Sequence, residues 1–248
     1  QAFGWDIPAF AHIPMIHGKN GKMSKRDGAT DVLQYKRDGF LPQALNSYLM
    51  RLGWSLGDEE LISMEKAIQH FDITDVNKGA STFDMAKLEW VNAQFIKTID
   101  TEVLVAELEP FFTDMGLEFT DKAKTYLLNG GLDELRPRAK KLCDLASNAS
   151  FYLKEPPFTL DEKFAGEITD DSKEILQKIS HELNSLNNWN KEEISLKVKS
   201  FIEDNNLKFP QVGKPLRIAL TGTTNAPSVD GIMAVLGKEE SLKRVKLV

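Results

Sequence analysis

The chain has 248 residues, 42% of them hydrophobic, with a net charge of −6, a length that exceeds one compact core and predicts two or three modules. No run approaches the roughly 20 apolar residues that span a bilayer, and the first residues lack the basic start and apolar stretch of a secretory signal, so a cytoplasmic protein is predicted. The lone Cys143 excludes an intramolecular disulfide, and His12, His17, His70 and His181 stand without metal-ligand spacing, which predicts no metal held by this chain alone.

In chain order, Gly18, Gly21 and Gly28 bracket a short basic loop. Pro42 suits a helix's first turn, and Ala44, Leu45, Tyr48, Leu49 and Leu52 repeat at helical spacing until Gly53 closes the run. Ser63 predicts a cap for a helix through Phe71, and Asp84 one for a helix through Ile96. From Thr101 onward the pattern is almost purely helical, and the stripe Leu135, Ala139, Leu142, Leu145 or Ala146, Ala149 and Leu153 predicts one helix of several turns. Consecutive prolines at Pro156 and Pro157 cannot continue it, which places a boundary there. Ile175, Leu176, Ile179, Leu183 and Leu186 form another stripe, and Asn190 with Glu193 fits a reciprocal cap ahead of Ile194, Val198 and Phe201. Three short helices end the chain, the first two closed by Gly222 and Gly237. Strand signals are few and confined to the first hundred residues. Trp54, Trp90, Trp189, the Phe111–Phe112 pair and the Phe151–Tyr152 pair are assigned to the core.

Charge is unevenly spread. Residues 1–50 carry +2 and residues 207–248 carry +4, which leaves −12 for the acidic middle. Each basic end could meet phosphate, while the middle could keep nucleic acid off the wrong surface.

Residues 18–28 read Gly-Lys-Asn-Gly-Lys-Met-Ser-Lys-Arg-Asp-Gly, with cations interleaved with glycines. Glycine lets a backbone approach a ligand closely, and ammonium groups on flexible stems can follow phosphate charge as it redistributes. The string Lys22-Met23-Ser24-Lys25-Arg26 resembles the KMSKS-type signature of class I aminoacyl-tRNA synthetases, and Asp27-Gly28-Ala29 is similar to its continuation in bacterial-type glutamyl-tRNA synthetases. The resemblance extends through residues 40–49 and 52–55, through Phe83, Asp84, Lys87, Leu88, Trp90 and Asn92, and resumes at 215–222 and 236–239.

That resemblance implies catalytic roles for Lys22 and Lys25, which would stabilise charge on the pyrophosphate leaving ATP as L-glutamate is adenylated with Mg²⁺ present. Met23 would lie by its backbone near the adenine, and Ser24 and Arg26 would hold the loop. Ala11-His12-Ile13-Pro14 differs from the HIGH motif in having Pro14 and Met15 where Gly and His would stand, so His12 is assigned a structural role. The chain would therefore begin inside the catalytic domain, and alone would bind tRNA without catalysing adenylation.

Two further constellations fall in the helical part. Arg136-Pro137-Arg138-Ala139-Lys140-Lys141 opens the stripe described above, with Arg136 and Lys140 four apart and so on one face away from the core. In the family a matching arginine reads the third anticodon base, a role that maps to Arg138 with Arg136 as the alternative; a planar fork of donors can address a base edge bidentately. The family also places anticodon contacts at the positions of Arg217, Ala226, Pro227 and Val229, where apolar and prolyl surfaces would stack splayed bases.

The expected architecture is mainly α: residues 1–30 as the tail of a class I catalytic domain with its KMSKR loop, 31–100 as a small α/β stem-contact module, and 101–158 and 159–248 as two helical anticodon-binding modules. The implied protein is a monomeric glutamate–tRNA ligase with tRNA(Glu) as partner. Alternatives are a relaxed-specificity enzyme that also charges tRNA(Gln), a class I lysyl enzyme, and a stand-alone RNA-binding module.

Overall fold

The structure is a computed structural model that describes residues 2–18, 21–23, 31–158, 164 and 166–247, with only the backbone of Lys22. It divides into two compact units, 1–98 with 140–142, and 99–139 with 143–248. Helices dominate both. No helix among the described residues is long and apolar enough to cross a membrane.

Unit 1 holds a small sheet of three strands, β1 (Ile16–Gly18), β2 (Gly21–Lys22) and β3 (Ser81–Thr82). β1 pairs antiparallel with β2, His17 facing Lys22, and parallel with β3, Ile16 facing Ser81. Among the described residues four α-helices follow in this unit: α1 (Val32–Arg37), α2 (Pro42–Gly53), α3 (Met64–His70) and α4 (Met85–Thr98). Local signals set their starts. Pro42 fills a first-turn position whose N–H has no helical partner, and the Ser63 hydroxyl accepts from the Lys66 N–H. α2 and α4 pack on each other, and Ala44, Leu45 and Tyr48 of the first and Leu88 and Val91 of the second are all buried; each large side chain removed from water contributes roughly 1.5–3 kcal/mol. Trp54, Ile62 and Ala67 form a smaller cluster beside Met50 and Leu56. The exception is Trp90, assigned to the core from its position but 42% exposed, with the Lys87 ammonium 4.2 Å from its ring centroid. An indole can keep one face wet when a cation covers it. His12, assigned a structural role, is exposed within an irregular run whose Phe3, Trp5, Ile7 and Phe10 are exposed too.

Unit 2 begins with α5 (Thr101–Asp114), capped by the Asp100 carboxylate, and α6 (Asp121–Tyr126). The predicted single helix over 135–153 is not continuous: a 3₁₀ turn at Arg136–Arg138 ends at Ala139 in extended backbone, α7 (Leu142–Ala149) follows, and a second 3₁₀ turn covers Ser150–Tyr152. Tertiary hydrogen bonds win over the local helix here. In unit 1 the Lys140 carbonyl accepts from the Asn92 amide and the Leu142 N–H donates to the Gly39 carbonyl. The apolar stripe nonetheless points inward, since Leu135, Ala139, Leu142, Leu145, Ala146 and Ala149 are all buried.

The remainder is α8 (Asp170–Asn184), α9 (Lys191–Asp204), α10 (Phe209–Thr221), α11 (Val229–Leu236) and α12 (Lys238–Lys246). Gly222 closes α10 in the left-handed region at φ 76°, where a side chain would be strained. Arg244, 1% exposed, fastens α12 by donating to the Phe151, Leu220 and Lys154 carbonyls, and pairs with Glu240 one turn away on the same helix. A buried guanidinium is tolerated because its donors are answered.

Candidate nucleic-acid interface

The β1–β2 hairpin leads into the KMSKR string. The Met23 N–H donates to the Ile16 carbonyl at 3.5 Å and prolongs the pairing by one residue. Ser24, Lys25, Arg26 and the side chain of Lys22 lie outside the described residues. The phosphate roles assigned to them rest on sequence alone. Among the described residues no group of three or more His, Cys, Asp or Glu is placed to hold a metal ion.

The basic string at 136–141 separates into distinct environments. Arg136 turns back into unit 2 and donates from Nη1 to the Ile99 carbonyl at 2.9 Å and from Nη2 to the Thr101 hydroxyl at 2.6 Å. The expected common face for Arg136 and Lys140 therefore does not form, because the backbone leaves the helix at Ala139. Lys140 and Lys141 belong to unit 1, where both reach Glu89, at 3.6 and 3.2 Å. Arg138 is exposed, and its guanidinium has no protein partner among the described residues.

The loop at 223–228 follows α10. Arg217, half-buried on that helix, donates from Nε to the Pro227 carbonyl at 3.2 Å. Thr221 is drawn into the corner as well, its hydroxyl bridging the Arg217 and Thr223 carbonyls. Pro227 and Val229 are buried, Ala226 is half-buried and Asn225 is exposed. The loop's accessible surface is therefore that of Thr223, Thr224, Asn225, Ala226 and Ser228, with Arg217 half-buried beside it and Pro227 and Val229 buried. A cleft of about 700 Å³ lined by Asn148, Lys154, Phe158, Thr221, Thr223 and Asn225 opens on one side of it, within the size range of small-ligand clefts.

Glu134, which no sequence motif singles out, ties two of these segments together. Its carboxylate accepts from the Ser228 N–H at 2.8 Å and the Ser228 hydroxyl at 2.7 Å, and pairs with the Lys191 ammonium at 2.7 Å. Partial burial alone would raise its pKa, but the Lys191 ammonium and the two Ser228 donors outweigh that and hold the carboxyl at about 2. The Lys191 pKa is raised by the same hydrogen bond. Gly231 leaves the room this requires, since a Cβ there would stand 2.6 Å from Glu134 Oε1 and 2.8 Å from Ser228 Oγ. No local signal could have pointed to Glu134, because Ser228 is 94 residues away and Lys191 is 57. The result is that the segment carrying Arg138 and the loop carrying Ala226 are joined through one carboxylate.

Comparison with known proteins gives a consistent picture. Residues 103–248 match the family model "Anticodon binding domain", and residues 1–90 match "tRNA synthetases class I (E and Q), catalytic domain". The chain is 42% identical over 254 residues to glutamate–tRNA ligase 2 of Chelativorans sp. strain BNC1, and 41% identical over 251 residues to glutamate–tRNA ligase 1 of Bartonella tribocorum. Each alignment covers 99% of this chain and 53% of the relative, so the chain spans about half the length of the curated relatives it matches. Among solved structures it is similar to a glutamate tRNA ligase from Elizabethkingia meningosepticum in complex with its amino acid. There the TM-score is 0.77 and the identity 28%, over 98% of this chain and 52% of that one. The Elizabethkingia anophelis glutamate–tRNA synthetase gives a TM-score of 0.73 at 28% identity, over 98% and 51%.

Proposed function

Because the chain belongs to the anticodon-binding-domain family over residues 103–248 and is homologous along its length to part of the glutamate–tRNA ligases, we propose that unit 2 binds tRNA(Glu) by its anticodon. In this reading the whole protein joins L-glutamate to that tRNA using ATP and Mg²⁺, as a cytoplasmic monomer. One observation carries the RNA-reading assignment: of the four cations at 136–141, Arg136, Lys140 and Lys141 are engaged with the protein, and Arg138 is left exposed beside the turn that Glu134 ties to the 223–228 loop.

In this proposal Arg138 presents two parallel donors to a base edge, which a lysine could not do. Arg217 and Ala226 line the path of the neighbouring bases, with Pro227 and Val229 setting the loop's height from below. Arg136 acts from beneath, as the anchor of the Arg138 turn. Lys22 and Lys25 would neutralise the ATP phosphates, with Met23, Ser24 and Arg26 completing the loop. Residues 31–100 would meet the tRNA stem, and 101–158 and 159–248 would be the two anticodon-binding modules.

The test is binding of a tRNA(Glu) transcript to the 248-residue chain across a salt series. Phosphate neutralisation releases counterions, so log affinity should fall linearly with log salt, by roughly 0.7–0.9 for each contacted phosphate. An affinity independent of salt, or no binding at all, would sink the proposal. Whether tRNA(Gln) is also accepted is read by repeating the series with that tRNA.

A further inference from the structure

Glu134 stands where an RNA-binding surface can least accommodate an acid. A bare carboxylate beside phosphates repels them, so its presence there calls for a compensating role. All the donors it meets come from elsewhere in the chain: the N–H and hydroxyl of Ser228, at the N-terminus of α11, and the ammonium of Lys191, at the start of α9. The Ser228 hydroxyl in turn accepts from the Gly231 N–H at 3.2 Å and so caps α11. One carboxylate thus closes a ring that runs from the Arg138 turn to the cap of α11 and the end of the 223–228 loop. The loop is held at three places, by Thr221 at Thr223, by Arg217 at the Pro227 carbonyl and by Glu134 at Ser228. Among the described residues, only the last of these hydrogen bonds reaches outside α10 and its own corner.

We propose that Glu134 is a positioning residue for RNA recognition: it fixes the 223–228 loop against the Arg138 turn, so that Arg138 and Ala226 address adjacent bases in one register. This rests on the reading of unit 2 as the anticodon-binding surface. Glu134 does not itself touch RNA. Its partner Lys191 cancels its charge, and its remaining lone pairs go to Ser228, so the acid is masked as well as used. Losing the junction leaves both segments present but free to shift relative to each other, and a two-point contact then has to be ordered at the moment of binding.

The experiment uses the full 248-residue chain and two RNA probes, the anticodon stem-loop of tRNA(Glu) and the same stem-loop with its anticodon bases replaced. In the wild type the first binds more tightly than the second. Glu134→Ala should weaken the intact stem-loop by about tenfold, the scale of one lost charge-assisted hydrogen bond, and leave the replaced stem-loop unchanged. Some loss of melting temperature is expected either way, since Glu134 also contributes stability; a merely structural residue would affect both RNAs alike. Glu134→Gln keeps an acceptor oxygen for Ser228 and should recover part of the loss. Ser228→Ala should give little further loss when combined with Glu134→Ala, because the two act through one contact.

A folded Glu134→Ala chain with the wild-type ratio between the two probes overturns the inference. If that variant does not fold, unchanged ratios in both Glu134→Gln and Ser228→Ala overturn it equally. A wild-type chain that binds both probes alike overturns the reading of the surface, and the inference with it.

Discussion

Arg136 and Arg138 stand two residues apart on one 3₁₀ turn and are put to opposite uses. Arg136 donates inward to the Ile99 carbonyl and the Thr101 hydroxyl, while Arg138 is exposed without a protein partner among the described residues. A turn of three residues per repeat sends alternate side chains in different directions. The protein thereby anchors the turn with one guanidinium and presents the other.

Substitution should separate the two roles. Arg136→Ala removes two hydrogen bonds from a charged donor and is expected to lower the stability of unit 2 by roughly 1.5–3 kcal/mol, read as a shift in the urea midpoint. Arg138→Gln should stay within about 0.5 kcal/mol of wild type and instead weaken tRNA binding by roughly 1–3 kcal/mol, the value of a bidentate base contact. Equal stability losses in the two variants would contradict the division of labour.

Asn92 makes a comparable test in unit 1. Its side chain is fully buried, accepts from the Leu41 N–H at 2.8 Å and donates to the Gly39 carbonyl at 3.2 Å and the Lys140 carbonyl at 2.7 Å. Asn92→Leu leaves buried backbone groups unanswered and should cost about 3 kcal/mol. Asn92→Asp should also destabilise, because it turns an oxygen toward two carbonyls. A urea midpoint unchanged in either variant would refute this account of how residues 140–142 are held.

The acid side of the stability profile should carry the mark of Glu134. Its folded pKa of about 2 lies below its ordinary value of 4.5, so its ionised form contributes stability that is complete above pH 4.5 and is lost as pH falls toward 2. The stability difference between wild type and Glu134→Gln should be constant from pH 5 to 7 and shrink across that acid window. Chemical unfolding at stepped pH measures it, and a difference that does not change with pH would count against the Ser228 and Lys191 contacts.

Much of this was legible in the chain because it is written locally. Ser63 caps its helix through a bond only three residues long, Pro42 stands at the start of α2, and Gly222 and Gly237 close their helices where the breaker pattern placed them. The break at Ala139 was not legible. An apolar stripe at spacings of three and four buries the same residues whether the backbone is one helix or a 3₁₀ turn followed by another, and the hydrogen bonds that decide the matter come from Gly39 and Asn92. Trp90 misled for a similar reason, since its place on α4 fits an apolar pattern and only the Lys87 side chain shows how its exposed face is covered. At the candidate interface the arginines and the proline loop were visible as residue types. Which of them are free, and that Glu134 joins them, depended on partners far away in sequence.

The most direct test of the central claim is the affinity of the 248-residue chain for tRNA(Glu) compared with the same tRNA carrying a replaced anticodon, measured at one salt concentration. The account predicts that replacement weakens binding by at least about tenfold, with each mismatched base costing roughly 1–3 kcal/mol by analogy with other base-reading proteins, and that Arg138→Gln narrows the gap by about one base's share. Equal affinity for the two tRNAs would contradict it.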